Sequence, residues 1–346
     1  MRQMPMPMPM PTPQPQGQTM RKNVLVFRPI PPDLLAGIEA EHDVVVADPR
    51  QPAQAPAFRE ALAGAQGMIG SSIRLGAAEL AHAGRLEVIS SISVGVDNYD
   101  LGFLRQRGIA LCHTPGVLTE TTADTVFALI MAASRRLVEL ASHVREGRWT
   151  RNIGEDLFGW DVHGKTLAIL GFGRIGQAVA RRAALGFGMR VLYVNEGPVE
   201  VPELAGRATA ATLDQALAQA DIVAVTLPLT DSTRGLMGAR EFALMKPGAI
   251  FVNGARGQIV QEAALLAALD SGHLRAAALD VFATEPLPQD SPLRRHPLVT
   301  ALPHIGSATH ETRRAMAALA TRNLLDALAG RPPATPFRLT AVPAAN

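Results

Sequence analysis

The stretch LAILGFGRIGQAVA, residues 167–180, constrains the fold more than any other part of the chain. An apolar, strand-like run passes through Gly171, Gly173 and Gly176 directly into a helical pattern. In a strand–turn–helix unit of this kind the first glycine permits the tight turn. The second lets the backbone approach a dinucleotide's pyrophosphate, and the third allows close helix–strand packing. The helix N-terminus then offers free N–H groups and a positive dipole end to the phosphates. A glycine triplet alone is a weak signal, and a merely structural turn is the bland alternative; strand, spacing and helix together favour nucleotide binding. Nearly half of the 346 residues precede this unit, so the chain is more than a dinucleotide-binding domain.

The segment before it alternates. NVLVF, DVVVA, GMIG, LEVISSI and IALCH read as strands, with PDLLAGIEAE, FREALAGA, AAELAHAG and LGFLRQRG as helices between them. Apolar runs separated by helical segments indicate a parallel sheet covered on both faces. A second alternating run follows: KTLAIL, RVLYV, DIVAV, AIFVN, AAALDV and LVTAL as strands, IGQAVARRAALG, LDQALAQA and QEAALLAALDSG as helices. Thr212 and Gln215 are spaced for a capping box, and Gly272 suits a left-handed helix end. Between the runs, residues 120–146 are expected to form one long helix whose first half is apolar nearly all round, through Val126, Phe127, Leu129, Ile130 and Met131. Such a helix needs burial on more than one side, between two domains or between two subunits, and a homodimer is favoured. A last helix, 309–328, has no strand after it and is expected to return to the first unit.

The fold class is therefore α/β, with two doubly wound parallel sheets. The expected division is a disordered Met/Pro/Gln-rich tail at 1–21, a discontinuous substrate domain at 22–117 and 309–335, and a dinucleotide-binding domain at 118–308. Proline at every second position of the tail blocks helix and central strand alike. Apolar residues make up 47% of the chain, enough for ordinary cores, and no run approaches the ~18 unbroken apolar residues of a membrane span. A net charge of +2 without a dense basic run argues against nucleic acid. The single cysteine, Cys112, fits a reducing cytoplasm.

Three segments near strand ends carry polar residues that a core would not hold: VNGARGQIV with Arg256, ALDVFATEPLP with Asp280 and Glu285, and ALPHIGSATHETR with His304. Ligands of open parallel sheets bind outside the carboxyl ends of strands. Arginine presents a planar fork suited to a substrate carboxylate, and histidine exchanges a proton near neutral pH. A carboxylate beside that histidine stabilises its charged form and fixes its tautomer. Singly, each has a bland reading as a solvated charge, a turn residue or a structural histidine; together they form a chemical set. After RVLYV the chain offers Asn195 and Glu196 and no arginine. Glu196 should repel a 2′-phosphate, which favours NAD(H) while leaving NADP(H) open.

The segments ILGFGRIG, VNGARG, LDVFATEP and PHIGSATHETR, in that order, resemble the D-isomer-specific 2-hydroxyacid dehydrogenases over residues 23–329. With SISVGVDNYD, HTPGVLTETTADT and FGWDVHGKTL, they look most like the glyoxylate/hydroxypyruvate reductase B group, also called 2-ketoaldonate reductases. The resemblance implies a Rossmann cofactor domain inserted in a flavodoxin-like substrate domain, and reversible NAD(P)H-dependent reduction of glyoxylate, hydroxypyruvate or 2-ketogluconate to the D-2-hydroxy acid. It implies that Arg256 orients the substrate's carboxylate and 2-oxo group, that Glu285 pairs with the histidine, and that His304 is the general acid/base. Val94 and Gly95 would offer backbone N–H groups to the substrate carboxylate, with Ser72 a further substrate-side candidate. Arg174 and Ile175 would meet the pyrophosphate, Pro228 and Thr233 would flank the nucleotide, and Ala255 and Asp280 would approach the nicotinamide side; no metal is implied. At Asn195-Glu196-Gly197 the chain departs from the arginines common in the NADP-preferring subgroup. Trp149 either packs or reaches a neighbouring subunit's site. Two alternatives stay open: a phosphoglycerate dehydrogenase-like enzyme, although the chain ends near Asn346 without room for a regulatory domain, and a nucleotide-sensing corepressor on the same fold. A formate dehydrogenase is disfavoured, because that group places glutamine where Glu285 stands.

Overall fold

A computed structural model describes residues 20–339; most of the expected tail, 1–19, lies outside the described residues. Arg21 is already tied down, its Nε donating to Asp43 at 2.8 Å. The first unit comprises β1 (Asn23–Val26), α1 (Pro32–Glu41), β2 (Asp43–Val46), α2 (Ala55–Gly64), β3 (Gly67–Gly70), β4 (Val88–Ser91), α3 (Leu101–Arg107) and β5 (Ala110–Cys112). After α4 (Thr119–Arg135) and α5 (Leu137–Arg145) come β6 (Thr166–Leu170), α6 (Arg174–Arg181), β7 (Arg190–Val194), β8 (Ala208–Ala210), α7 (Leu213–Gln219), β9 (Ile222–Val225), α8 (Ala239–Leu244), β10 (Ala249–Asn253), α9 (Glu262–Asp270), β11 (Leu274–Leu279) and β12 (Val299–Ala301). The last helix is α10 (His310–Leu328).

Both sheets are parallel. The first has five strands in the order β2-β1-β3-β4-β5, and the second seven in the order β12-β11-β10-β9-β6-β7-β8. The strand order of the second reverses between β6 and β9, so the glycine turn after β6 opens into the crevice where such sheets bind ligands. The central strands are largely apolar because helices cover both faces: α4 and α6 pack on one side of the second sheet, α7, α8 and α9 on the other. As expected, α10 returns to the first sheet. Its Met316, Ala320, Leu324 and Leu328 join Val24, Val26, Ile69 and Val88 in one core. A Cβ on Gly67 would sit 2.9 Å from methyls of Leu324 and Leu328, so a larger residue there would make those leucine side chains shift. The seven-stranded domain is thus inserted into the first.

Thr212 and Gln215 form their capping box, with bonds of 3.2 and 3.1 Å, and Gly272 is left-handed at φ +72°. Two expectations fail. The segment AAELAHAG is a run of turns, because the Glu79 carboxylate takes the Gly76 N–H at 2.8 Å and closes a local turn that competes with a helix. The long helix is broken at Arg136, which is left-handed at φ +53°. Its guanidinium donates to Glu139 and to the carbonyl oxygens of Asp156 and Phe158, fixing the break against a returning arm. The helix after the glycine turn ends at Arg181 and continues as one π-helical turn, Arg182–Gly186. The sequence pattern does not reveal strand β8 or helix α8; β8 is a three-residue ATA edge without an apolar signature. Among the described residues no helix is long and apolar enough to cross a membrane.

Candidate active site

Arg256, Glu285 and His304 follow β10, β11 and β12, three neighbouring strands at one end of the seven-stranded sheet. Strand ends in a parallel sheet lie about 5 Å apart, so residues far apart in sequence arrive side by side. His304 Nδ1 meets Glu285 Oε2 at 2.7 Å, and the other carboxylate oxygen takes the Phe282 N–H at 3.0 Å. Burial alone would push the Glu285 carboxyl up. The hydrogen bonds from His304 and Phe282, with the charges of His304 and Arg256, outweigh it and hold the group below the ordinary carboxylate range. An imidazole bonded to that carboxylate through Nδ1 has Nε2 left for proton exchange.

The histidine loop is unusual in its backbone. His304 is left-handed at φ +55°, a conformation that persists only where surroundings hold it. Asp280 does so: buried at 1% exposure, it accepts the N–H of Ile305 at 2.7 Å and of Gly306 at 2.8 Å. Burial raises its carboxyl above the ordinary value despite these two bonds. Asn253 braces the neighbouring loop, donating to Arg256 O at 3.0 Å and accepting from Ala255 N at 3.0 Å. The loops after β10 and β11 touch so closely that a Cβ on Gly257 would lie 1.8 Å from the Phe282 carbonyl carbon.

Arg256 reaches out of the second sheet toward the loop after β4 in the first. Its Nε approaches the Asp97 carboxylate at 3.1 and 3.3 Å, and its Nη1 donates to Ala255 O at 2.8 Å. The guanidinium lies over Gly95, where a Cβ would be 1.8 Å from Nη2. The structure therefore brings Gly95 together with Arg256. Val94 packs partly into the core beneath α10, and its carbonyl contacts His113 Nδ1 at 3.1 Å. Ser72 stands at the end of β3, left-handed at φ +64°, and its described hydrogen bond runs to Ser71 Oγ at 3.3 Å.

The glycine turn is built as a phosphate cradle requires. Gly171 is left-handed at φ +97°, and a Cβ there would press on the Leu227 backbone at 2.8 Å. A Cβ on Gly176 would meet Gly171 O at 2.2 Å, so strand and helix touch through it. At Gly173, by contrast, a Cβ would meet nothing within 4 Å. The open side of the turn thus lies at the N-terminus of α6, with Arg174 exposed beside it and Ile175 packed against the cores of both domains. Asn195 accepts from Phe172 N at 3.2 Å and donates to Gly197 O at 3.1 Å, bracing the turn against the end of β7. Glu196 is exposed beside it. Thr233 closes the loop after β9, donating to Pro228 O at 2.7 Å and accepting from Thr230 N at 2.8 Å. Ala255 is 9% exposed. Two supporting residues escaped the sequence reading: Thr226, whose hydroxyl donates to Gly171 O at 2.6 Å, and Asp97, which stands two positions after Gly95 but meets its partner only in three dimensions.

Away from this cleft, α5 and the arm after it expose Leu137, Val138, Val144, Trp149, Ile153 and Phe158, each 47–60% accessible. A groove of about 330 Å³ runs between Leu140, His143, Val144, Trp149, Asn152 and Ile153.

Comparison with known proteins agrees with this geometry. The sequence profile of the D-isomer specific 2-hydroxyacid dehydrogenase NAD binding domain matches residues 127–306. A glyoxylate/hydroxypyruvate reductase B from Yersinia enterocolitica is 49% identical over 311 residues, 90% of this chain and 95% of its own. Among solved structures, a Thermus thermophilus protein superposes with a TM-score of 0.83 at 43% identity, covering 92% of this chain and 100% of that one. An NADPH-dependent glyoxylate/hydroxypyruvate reductase from Sinorhizobium meliloti, solved with NADP and malonate, gives 0.82 at 31% identity over 92% and 98% of the two chains. A nicotinamide-binding domain whose strand ends gather an arginine, a glutamate and a histidine, matched in profile, sequence and fold, places this chain in the D-isomer-specific 2-hydroxyacid dehydrogenase family.

Proposed function

We propose that this chain reduces glyoxylate, hydroxypyruvate or a related small 2-oxo acid to the D-2-hydroxy acid, and that it favours NAD(H). The observation that carries the reading is the convergence of Arg256 and the 2.7 Å Glu285–His304 pair at adjacent strand ends. The cofactor is held at the glycine turn: the open space over Gly173, the N–H groups at the start of α6, and Arg174 suit a pyrophosphate. When bound, the nicotinamide supplies the hydride. Arg256 takes the substrate carboxylate with its Nη2 edge, and the N–H groups of Val94 and Gly95 take it from the other side. His304, protonated, places its Nε2 proton on the carbonyl oxygen, and the charge that develops there is stabilised by Arg256. Glu285 bonds Nδ1 and fixes the imidazole's orientation, while Asp280 holds the loop that carries it. Ser72 borders the substrate; Asn195, Pro228, Thr233 and Ala255 border the nucleotide, with Asp280 toward its nicotinamide end.

The preference for NAD(H) rests on Glu196, whose charge opposes a 2′-phosphate at the end of β7. The assembly we propose is a homodimer closed over α5 and its arm, since monomers rarely leave so much contiguous apolar surface bare. The proposed division is a substrate domain of 22–117 with 309–335 and a cofactor domain of 118–308. A cytoplasmic setting fits the one cysteine, Cys112, buried with its thiol pushed up to about 11 and so chemically inert. Oxidation of NADH and NADPH, followed at saturating glyoxylate, hydroxypyruvate, 2-ketogluconate and 3-phosphohydroxypyruvate, tests the reading. Turnover with the first three and faster turnover with NADH support it. A preference for the phosphorylated acid would favour the phosphoglycerate alternative, and no turnover with any would favour a sensor.

A further inference from the structure

We infer that Asp97 is a positioning residue for the reaction: from the first domain it holds Nε of the Arg256 guanidinium beside Gly95, leaving Nη2 for the substrate carboxylate. The inference rests on the proposed reduction of 2-oxo acids. An aspartate in a loop most often bonds a backbone N–H nearby in its own turn. The described hydrogen bonds of the Asp97 carboxylate instead both run to Arg256 Nε, at 3.1 and 3.3 Å and 159 residues away. Its base is fixed independently. Asn98 donates to Ile73 O at 2.6 Å, Leu75 N donates to Asn98 O at 2.9 Å, and Tyr99 is buried. The carboxylate is thus a fixed point in the first domain against which a flexible side chain of the second can be set.

The geometry at Gly95 shows how closely the three groups meet. A Cβ there would lie 1.8 Å from Arg256 Nη2 and 2.8 Å from Asp97 Oδ1. Without Asp97 the guanidinium keeps one anchor, the 2.8 Å bond from Nη1 to Ala255 O, and rotation about its long stem would carry Nη2 off the substrate. Both side chains are about a quarter exposed, at 27% and 28%. A pair this wet contributes little to folding, so its effect lies in alignment. Alignment matters to the rate more than to the stability, because small misplacements of a reacting group cost large factors.

The charge works in the other direction on binding. Asp97 partly neutralises Arg256, so removing the carboxylate strengthens the pull on an anionic substrate while loosening the geometry. Asp97→Asn is therefore expected to lower kcat roughly ten- to a hundredfold, the range of one charge-assisted hydrogen bond, with KM for the 2-oxo acid changed about threefold or less. NADH affinity should stay as in the wild type, and Tm should move by no more than ~2–4 °C. In an Arg256→Gln background the same substitution should change kcat less than about twofold, since residues acting as a unit are non-additive. A wild-type kcat in Asp97→Asn, or an undiminished loss in the Arg256→Gln background, overturns the inference. If Asp97→Asn fails to bind NADH, Asp97→Glu decides. It keeps the charge on a longer arm, so NADH binding with partial kcat supports the role, and full kcat with a displaced carboxylate overturns it. A wild-type chain that turns over none of the 2-oxo acids refutes the proposed function instead, a result distinct from all of these.

Discussion

One methyl group, added at either of two glycines in the turn after β6, should separate folding from cofactor binding. At Gly173 the backbone is extended, with φ −72° and ψ −167°, which alanine adopts without strain, and the new methyl meets nothing within 4 Å. Losing glycine's freedom in the unfolded chain stabilises by ~0.4–1 kcal/mol. Alanine is a poorer N-cap than glycine by a similar ~0.5–1 kcal/mol. The two nearly cancel, so Gly173→Ala should melt within ~2–4 °C of the wild type. That methyl occupies the space through which an anion would reach the N–H groups of α6. Loss of one or two charge-assisted hydrogen bonds, at ~1.5–3 kcal/mol each, raises the Kd for NADH by roughly ten- to a thousandfold or more. Gly176→Ala reverses the pattern: its methyl would lie 2.2 Å from Gly171 O, and overpacking of this kind costs ~1–3 kcal/mol, lowering Tm by several degrees. NADH fluorescence titration and a thermal melt on both variants make the comparison. Wild-type NADH affinity in Gly173→Ala would refute the placement of the pyrophosphate over this turn.

His304→Ala should lower kcat for reduction by about 10²–10⁴-fold while leaving the NADH Kd unchanged, measured by steady-state assay and fluorescence titration. Glu285→Gln removes a carboxylate held below its ordinary range and therefore charged at working pH. With Nδ1 no longer bonded to a carboxylate, the imidazole loses its fixed orientation and kcat for reduction should fall roughly ten- to a hundredfold, the range of one charge-assisted hydrogen bond; an unchanged kcat contradicts the pairing. Leu137→Glu together with Val144→Glu places charges on the exposed apolar face of α5. Light scattering after gel filtration should then show the mass of one chain where the wild type shows two, and a wild type already monomeric removes the proposed interface.

Much of this architecture was legible because a parallel sheet buried on both faces writes itself as largely apolar runs, and the strands of both sheets other than β8 do so. Arg256, Glu285 and His304 stood out by type, as groups that a core would not hold, and their placement after β10, β11 and β12 follows from the strand order. What stayed hidden depends on contacts distant in sequence. The break at Arg136 is held by carbonyls twenty and more residues on, so local periodicity cannot reveal it. The turns at 77–84 depend on one side chain, Glu79, outcompeting a helical pattern. Asp97 gives no local signal of its role because its partner is 159 positions away.

The return of α10 sets a timetable for making the protein. The face of the first sheet that Met316, Ala320, Leu324 and Leu328 cover stays bare while the intervening domain is being synthesised. At ~5–20 residues per second, roughly 200 further residues occupy the ribosome for roughly 10–40 s. The segment that emerges first is thus the last to be sealed. A chain truncated ahead of α10 would carry a finished nucleotide fold beside a greasy, half-built neighbour, a natural client for chaperones.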